Sequence, residues 1–166
     1  MLKKAKLIVL LIGMALFFVI LITIIPNINH KKRTTDTFSS QFTSKEEKIE
    51  FLRKYFILNS DILDTEYHIL YQDNSGFLPG PSDWDIKAAV KVREEDINFW
   101  LEGYIEADTN SVKLRWWDEL NLDSIYWSRW STPYFYKRKD SSSFLVLYRN
   151  EGIILKYITT MNLIED

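Results

Sequence analysis

Apolar residues follow three different patterns along the chain. The first is continuous: Leu7 to Ile25 is a run of nineteen residues without a charge, and Pro26 ends it. As a helix the run would be about 28 Å long, close to the roughly 30 Å hydrocarbon core of a bilayer. The second is helical. Ser44-Lys45-Glu46-Glu47 reads as a capping box, and Ile49, Leu52, Tyr55 and Phe56 follow on one stripe, predicting a helix to about Leu58. Glu50 and Lys54 stand at i,i+4 on its polar side. Glu94-Glu95-Asp96 opens a second, shorter helix through Glu102, and Gly103 suits a left-handed residue at its end.

The third pattern is alternation. Thr65 to Gln72 places Tyr67, Ile69 and Tyr71 on one face. Trp84 to Val92 is the cleanest case, with Trp84, Ile86, Ala88, Val90 and Val92 inward and Asp85, Lys87 and Lys91 outward, a strand with one face on a core and one toward water. Val112 to Trp117 alternates again, with Val112, Leu114 and Trp116 inward and Trp117 on the side of Lys113 and Arg115. Tyr134–Arg138, Phe144–Arg149 and Ile153–Ile158 read as a meander, and Asn150-Glu151-Gly152 suits a hairpin loop with a left-handed Gly. Tyr104–Ala107 is a short strand candidate, and a helical stretch is conceivable over Asp123–Trp130. These patterns predict an α+β fold: an N-terminal transmembrane helix, then a mostly antiparallel sheet of about five or six strands with two helices on one face.

Charge sharpens the division. All 23 Asp and Glu follow Arg33, whereas six of the 21 Lys and Arg lie at or before it, so the part from Thr34 on has 15 basic against 23 acidic residues, a formal charge of −8. So acidic a domain disfavours nucleic acid and anionic lipid and favours basic partners or serves solubility alone. Lys3, Lys4 and Lys6 precede the apolar run as in an export signal, but the run exceeds the roughly 7–15 residues of a cleaved signal core and no small-x-small site follows. The reading is an uncleaved signal-anchor over 1–26 and a flexible polar tether over 27–43. The domain of 44–166 then lies outside the cytoplasm, because a short tail with three lysines resists crossing. There is no cysteine and no Asn-x-Ser/Thr sequon, so disulfides, thiolate metal sites and N-glycosylation are excluded.

Candidate chemistry is sparse. Between Trp116 and Tyr136 lie eight large aromatics, more than one face of a small sheet readily buries; Trp117, Tyr126, Trp127 and Trp130 are the candidate partner-binding residues. His68 is the one histidine after the anchor region, and Asp83 and Asp85 flank Trp84 at a strand entrance. These three form the weak polar candidates: two carboxylates and a histidine are a minimal acid–base set, but a strand histidine and a turn aspartate are ordinarily structural. No phosphate-binding Gly-rich loop, nucleophile elbow or zinc-protease motif is present, and neither a cofactor nor a metal is implied. The function expected is recognition of a protein at the cell envelope by a single-pass membrane protein, an immunity- or inhibitor-like role being one concrete form. The alternatives are a cell-wall or carbohydrate-binding module and, third, a small envelope hydrolase.

Overall fold

The computed structural model describes residues 13, 14, 16, 17, 19, 34–55, 57–74, 82–108, 116–139 and 143–160. The chain divides into two units, Met1–Lys32 and Arg33–Asp166. In the second, β-branched and aromatic alternation is realised as one seven-stranded sheet: β1 (Thr34–Phe38), β2 (Asp64–Gln72), β3 (Asp83–Lys91), β4 (Tyr104–Glu106), β5 (Tyr134–Arg138), β6 (Ser143–Tyr148) and β7 (Ile153–Thr159). The spatial order is β1-β2-β3-β7-β6-β5-β4, and every pairing is antiparallel. The last strand in sequence therefore becomes the central one. Its Ile-Ile-Leu-Lys-Tyr-Ile composition suits that place, since Ile153, Ile154 and Leu155 are all fully buried and belong to both faces.

Helix α1 (Lys45–Leu52) starts where the capping box predicts. Ser44 Oγ accepts from Glu47 N at 3.2 Å, but the Glu47 carboxylate reaches back one residue further, to Thr43 N and Oγ1. The helix ends at Leu52, a turn and a half short of Leu58, and Glu50 pairs with Arg53 rather than Lys54. The second helix, Glu94–Leu101, is 3-10 throughout. Its indole Trp100 Nε1 donates to Ser60 Oγ at 3.0 Å, which satisfies a fully buried donor. Both expected left-handed glycines are found, Gly103 at φ +78° and Gly152 at φ +63°. At Gly152 a Cβ would stand 2.2 Å from Val92 O, while Val92 N donates to Gly152 O at 2.8 Å, so the β6–β7 turn is locked to the end of β3.

Both faces of the sheet are covered. One packs Tyr67, Ile69, Ile86, Ala88, Val90, Leu145, Leu147 and Ile154 beneath Leu52, Ile97 and Trp100. The other packs Ala89, Phe135, Val146, Ile153, Leu155 and Tyr157 beneath Trp116, Leu120, Leu122 and Trp127. This corrects the expectation that β3 turns one face to water: the side bearing Asp85, Lys87 and Lys91 is roofed by the aromatic segment, and the Asp85 and Lys87 side chains keep only 17 and 12% of their exposure.

Three further expectations change. The tether read over 27–43 ends early, because Thr34–Phe38 forms edge strand β1, paired from Thr34↔Gln72 to Phe38↔His68. An edge strand with one neighbour needs no apolar alternation, which is why Thr-Thr-Asp-Thr-Phe escaped notice. This addition makes the strand count seven rather than five or six. Trp116 and Trp117 lie in a 3-10 turn, not a strand, and 109–115, including Val112 and Leu114, fall outside the described residues. Asp123–Trp130 holds one 3-10 turn, Ile125–Trp127, and no longer helix. Phe56 and the turn residues Gly76 to Pro81 also lie outside the described residues.

In the first unit, most of Leu7–Ile25 lies outside the described residues. Gly13, Met14, Leu16, Phe17 and Val19 are helical, and the four larger side chains are 52–63% exposed. Among the described residues no helix is long and apolar enough to cross a membrane.

Candidate functional site

Residues 116–131 build the region that distinguishes this domain. The segment is mostly non-repetitive, folded by short-range bonds such as Leu120 N to Trp117 O and Trp127 N to Ser124 O. Such backbone follows no helical or strand period, so burial along it is set by the surface beneath. That surface includes Ala89, Val146, Ile153, Leu155 and Tyr157. Trp116 and Trp127 go down, at 8 and 3% exposure; Trp116 stacks on Tyr157 at 5.3 Å and meets Trp117 edge-on at 5.4 Å. Trp117 is half-buried against the same cluster.

The remaining aromatics, Tyr126 and Trp130, point outward together with Ile125. Ile125 is 94% exposed, Trp130 73% and Tyr126 43%. They line one cleft of about 570 Å³ with Leu63, Lys91, Arg93, Glu94, Glu95 and Glu151. The apolar side chains are therefore grouped, not scattered, which is the pattern of an interaction surface. Lys91 is engaged within the domain: its ammonium donates to Tyr126 O at 3.3 Å and stands 5.1 Å from the Tyr126 ring centroid. Burial, and then the negative charge of Asp64, raise the Tyr126 hydroxyl above the ordinary tyrosine value.

Glu151 holds the backbone at Trp130. The Glu151 carboxylate, 9% exposed, accepts from Trp130 N at 2.7 Å, Ser131 N at 2.6 Å and Ser131 Oγ at 2.5 Å. Burial is the largest influence on this acid and acts to raise it. The Ser131 and Trp130 donors together outweigh burial and hold the group below the ordinary glutamate value. Glu151 in turn is placed by the left-handed Gly152 that follows it.

The polar candidates separate. His68 enters a network between β1 and the roof: Nε2 lies 2.9 Å from Asp36 Oδ1, and Nδ1 3.6 Å from Glu119 Oε2. Lys87 Nζ donates to the same Glu119 oxygen at 2.6 Å and stands 3.6 Å from Asp85, whose other oxygen accepts from Tyr157 at 3.1 Å. Phe38 stacks flat on the His68 ring at 4.0 Å. Burial, then the charge of Asp85, push the Tyr157 hydroxyl up to about 12. Every acid here faces a base or a hydroxyl, so the arrangement fastens β1 and the roof to the sheet. Asp83 is apart from it, opposite Gln72 and accepting from Asn74 at 2.7 Å. Thus the sheet brings Asp85 and His68 to opposite sides of Lys87 but leaves Asp83 outside. Among the described residues no group of three or more His, Asp or Glu is disposed to hold a metal ion.

Of the four aromatic candidates, Tyr126 and Trp130 share the exposed cleft, Trp117 is partly covered, and Trp127 is core. Ile125, Glu151 and Arg149 were not singled out from sequence. Ile125 gives no local sign of exposure, and Glu151 reads as a loop acid until its contacts with a segment twenty residues upstream are known.

No protein-family profile, no curated protein and no solved structure matches this chain.

Proposed function

We propose that the chain is a membrane-tethered recognition domain that binds a protein at the cell envelope through the Ile125–Tyr126–Trp130 cleft. The observation carrying this reading is the grouping of three exposed apolar side chains on one cleft, with the backbone at Trp130 held by the Glu151 carboxylate. An exposed tryptophan is a favoured interface anchor, and because the main chain that carries it is already fixed, only its side-chain torsions are left to order on binding. The uncharged run Leu7–Ile25 supports attachment to a membrane, and the three lysines before it support an extracytoplasmic domain. The net charge of −8 favours a cationic partner. An immunity- or inhibitor-like role, capturing a basic protein as it reaches the membrane, is the concrete form.

The test uses the full chain in its native membrane, with a photocrosslinking residue in place of Glu95, on the rim of the cleft, in one version and in place of Glu46 in another. A discrete adduct formed from position 95 alone, in material that resists alkaline carbonate extraction, supports the reading. Equal adduct patterns from both positions sink the recognition surface, and release by carbonate sinks the anchor.

A further inference from the structure

Arg149 opens the turn between β6 and β7, and its guanidinium meets only neutral groups. Nη1 donates to Asn98 Oδ1 at 2.9 Å, Nη2 to the Tyr136 hydroxyl at 3.4 Å, and Cζ stands 5.5 Å from the centroid of the Tyr134 ring. Among the described residues no carboxylate pairs with it, although this part of the chain has 23 acids to 15 bases. Glu151, two residues on, is committed to Trp130 and Ser131. A guanidinium carries five N–H donors in a planar fork, and two have acceptors here. The cation–π contact with Tyr134 and the bonds to Asn98 and Tyr136 hold the guanidinium in place, which is the preorganisation that makes arginine selective for planar anions.

Arg149 lines a cleft of about 190 Å³ with Ser131, Thr132, Tyr134 and Asn150. No acid lines it. The Ser131 hydroxyl donates to Glu151, which leaves the Thr132 hydroxyl, the Asn150 carboxamide and the Arg149 fork as donors toward a ligand. The cleft is below the roughly 300 Å³ at which small-molecule sites begin, so it fits one functional group and not a whole ligand. It shares Asn150 with the larger cleft, and Ser131 follows Trp130 directly. A chain laid against Trp130 therefore runs past it.

We infer that the Arg149 cleft is a carboxylate subsite, filled by an Asp or Glu side chain of the protein bound at Trp130. The source of the carboxylate rests on the recognition reading; the chemistry of the cleft does not. It also refines the partner: a cationic protein with an acidic residue placed beside its apolar anchor.

The test is an NMR titration of the ¹⁵N-labelled full chain in nonionic detergent, following the Arg149 Nε–H and the Asn150 side-chain amide. The probe is N-acetylaspartate N-methylamide, with N-acetylasparagine N-methylamide, sodium phosphate and sodium chloride as the other arms. A saturable shift with the aspartate probe alone is expected. It should weaken at least about tenfold in Arg149→Lys, which keeps charge but loses the fork, and vanish in Arg149→Gln. Thr132→Val, on an exposed residue, should weaken it without altering the melt. Shifts that track ionic strength, saturate with phosphate and not aspartate, or persist in Arg149→Gln overturn the subsite. Failure of the recognition reading would show separately, as equal adduct patterns from the two crosslinking positions.

Discussion

The sharpest consequence of the site is that Glu151 should control Trp130. Replacing Glu151 by Gln keeps an oxygen for Trp130 N and Ser131 N, and the Ser131 hydroxyl can rotate to accept from the new amide, so only the charge is lost. Hydrogen bonds to a charged group contribute about 1.5–3 kcal/mol each and neutral ones about 1, but bonds sharing one carboxylate are not additive. The carboxylate also lies under a loop at the edge of the domain, where solvent screening lowers the figure. We expect Glu151→Gln to cost about 1–2 kcal/mol at pH 7, and Glu151→Ala, which strands both backbone donors, about 2–4 kcal/mol. The pH dependence has a definite sign. Because the folded-state value is depressed, the stabilisation is fully present above the ordinary glutamate value of 4.5 and is lost as pH falls through the lower folded value. Denaturant melts of wild type and Glu151→Gln, run from pH 7 to pH 3, should therefore show a gap that closes only in the acid limb. Crosslinking from position 95, on the rim of the same cleft, should weaken in Glu151→Ala as the backbone at Trp130 loses its support. A gap absent at pH 7, or one unchanged down to pH 3, would refute the carboxylate's role.

Gly152→Ala should be far worse than an ordinary turn substitution, by at least about 2–3 kcal/mol in a chemical melt, since it adds left-handed strain to a Cβ 2.2 Å from Val92 O. Trp127→Ala should cost about 3–5 kcal/mol, whereas Trp130→Ala should melt within about 0.5 kcal/mol of wild type and lose partner capture; the reverse order of melts would mean the roof is inverted. Burial, then the Arg138 charge, lower Lys156 to about 8 beneath the Trp100 ring, so between pH 8 and 10 folding should strengthen as the folded amine loses its proton first, by up to about 3 kcal/mol; Lys156→Met should flatten that rise. A chain beginning at residue 44 should be about 2–4 kcal/mol less stable than one beginning at Thr34, because it loses β1, the Phe38–His68 stack and the Asp36 contact; equal melts would make β1 dispensable.

Local pattern alone was enough for the elements whose side chains repeat: β2, β3 and the β5–β6–β7 meander, the Ser44 cap, and the two glycines whose left-handed turns no other residue adopts cheaply. It was enough to separate the Leu7–Ile25 run from everything acidic that follows. It failed where a residue's state depends on a surface far away in sequence. The outward face of β3 reads as solvated because Asp85, Lys87 and Lys91 are charged, yet Glu119, Tyr157 and Tyr126 come from other elements to receive them. Thr34–Phe38 carries no apolar stripe, because an edge strand is held by backbone pairing to β2 and not by a buried face of its own. Most of all, Trp127 and Trp130 are indistinguishable in a list of aromatics. One is core and the other is the candidate anchor because a non-repetitive segment has no period to reveal its faces: Trp127 joins the apolar cluster on the sheet, while the distant carboxylate of Glu151 holds the backbone at Trp130 and the indole stays exposed.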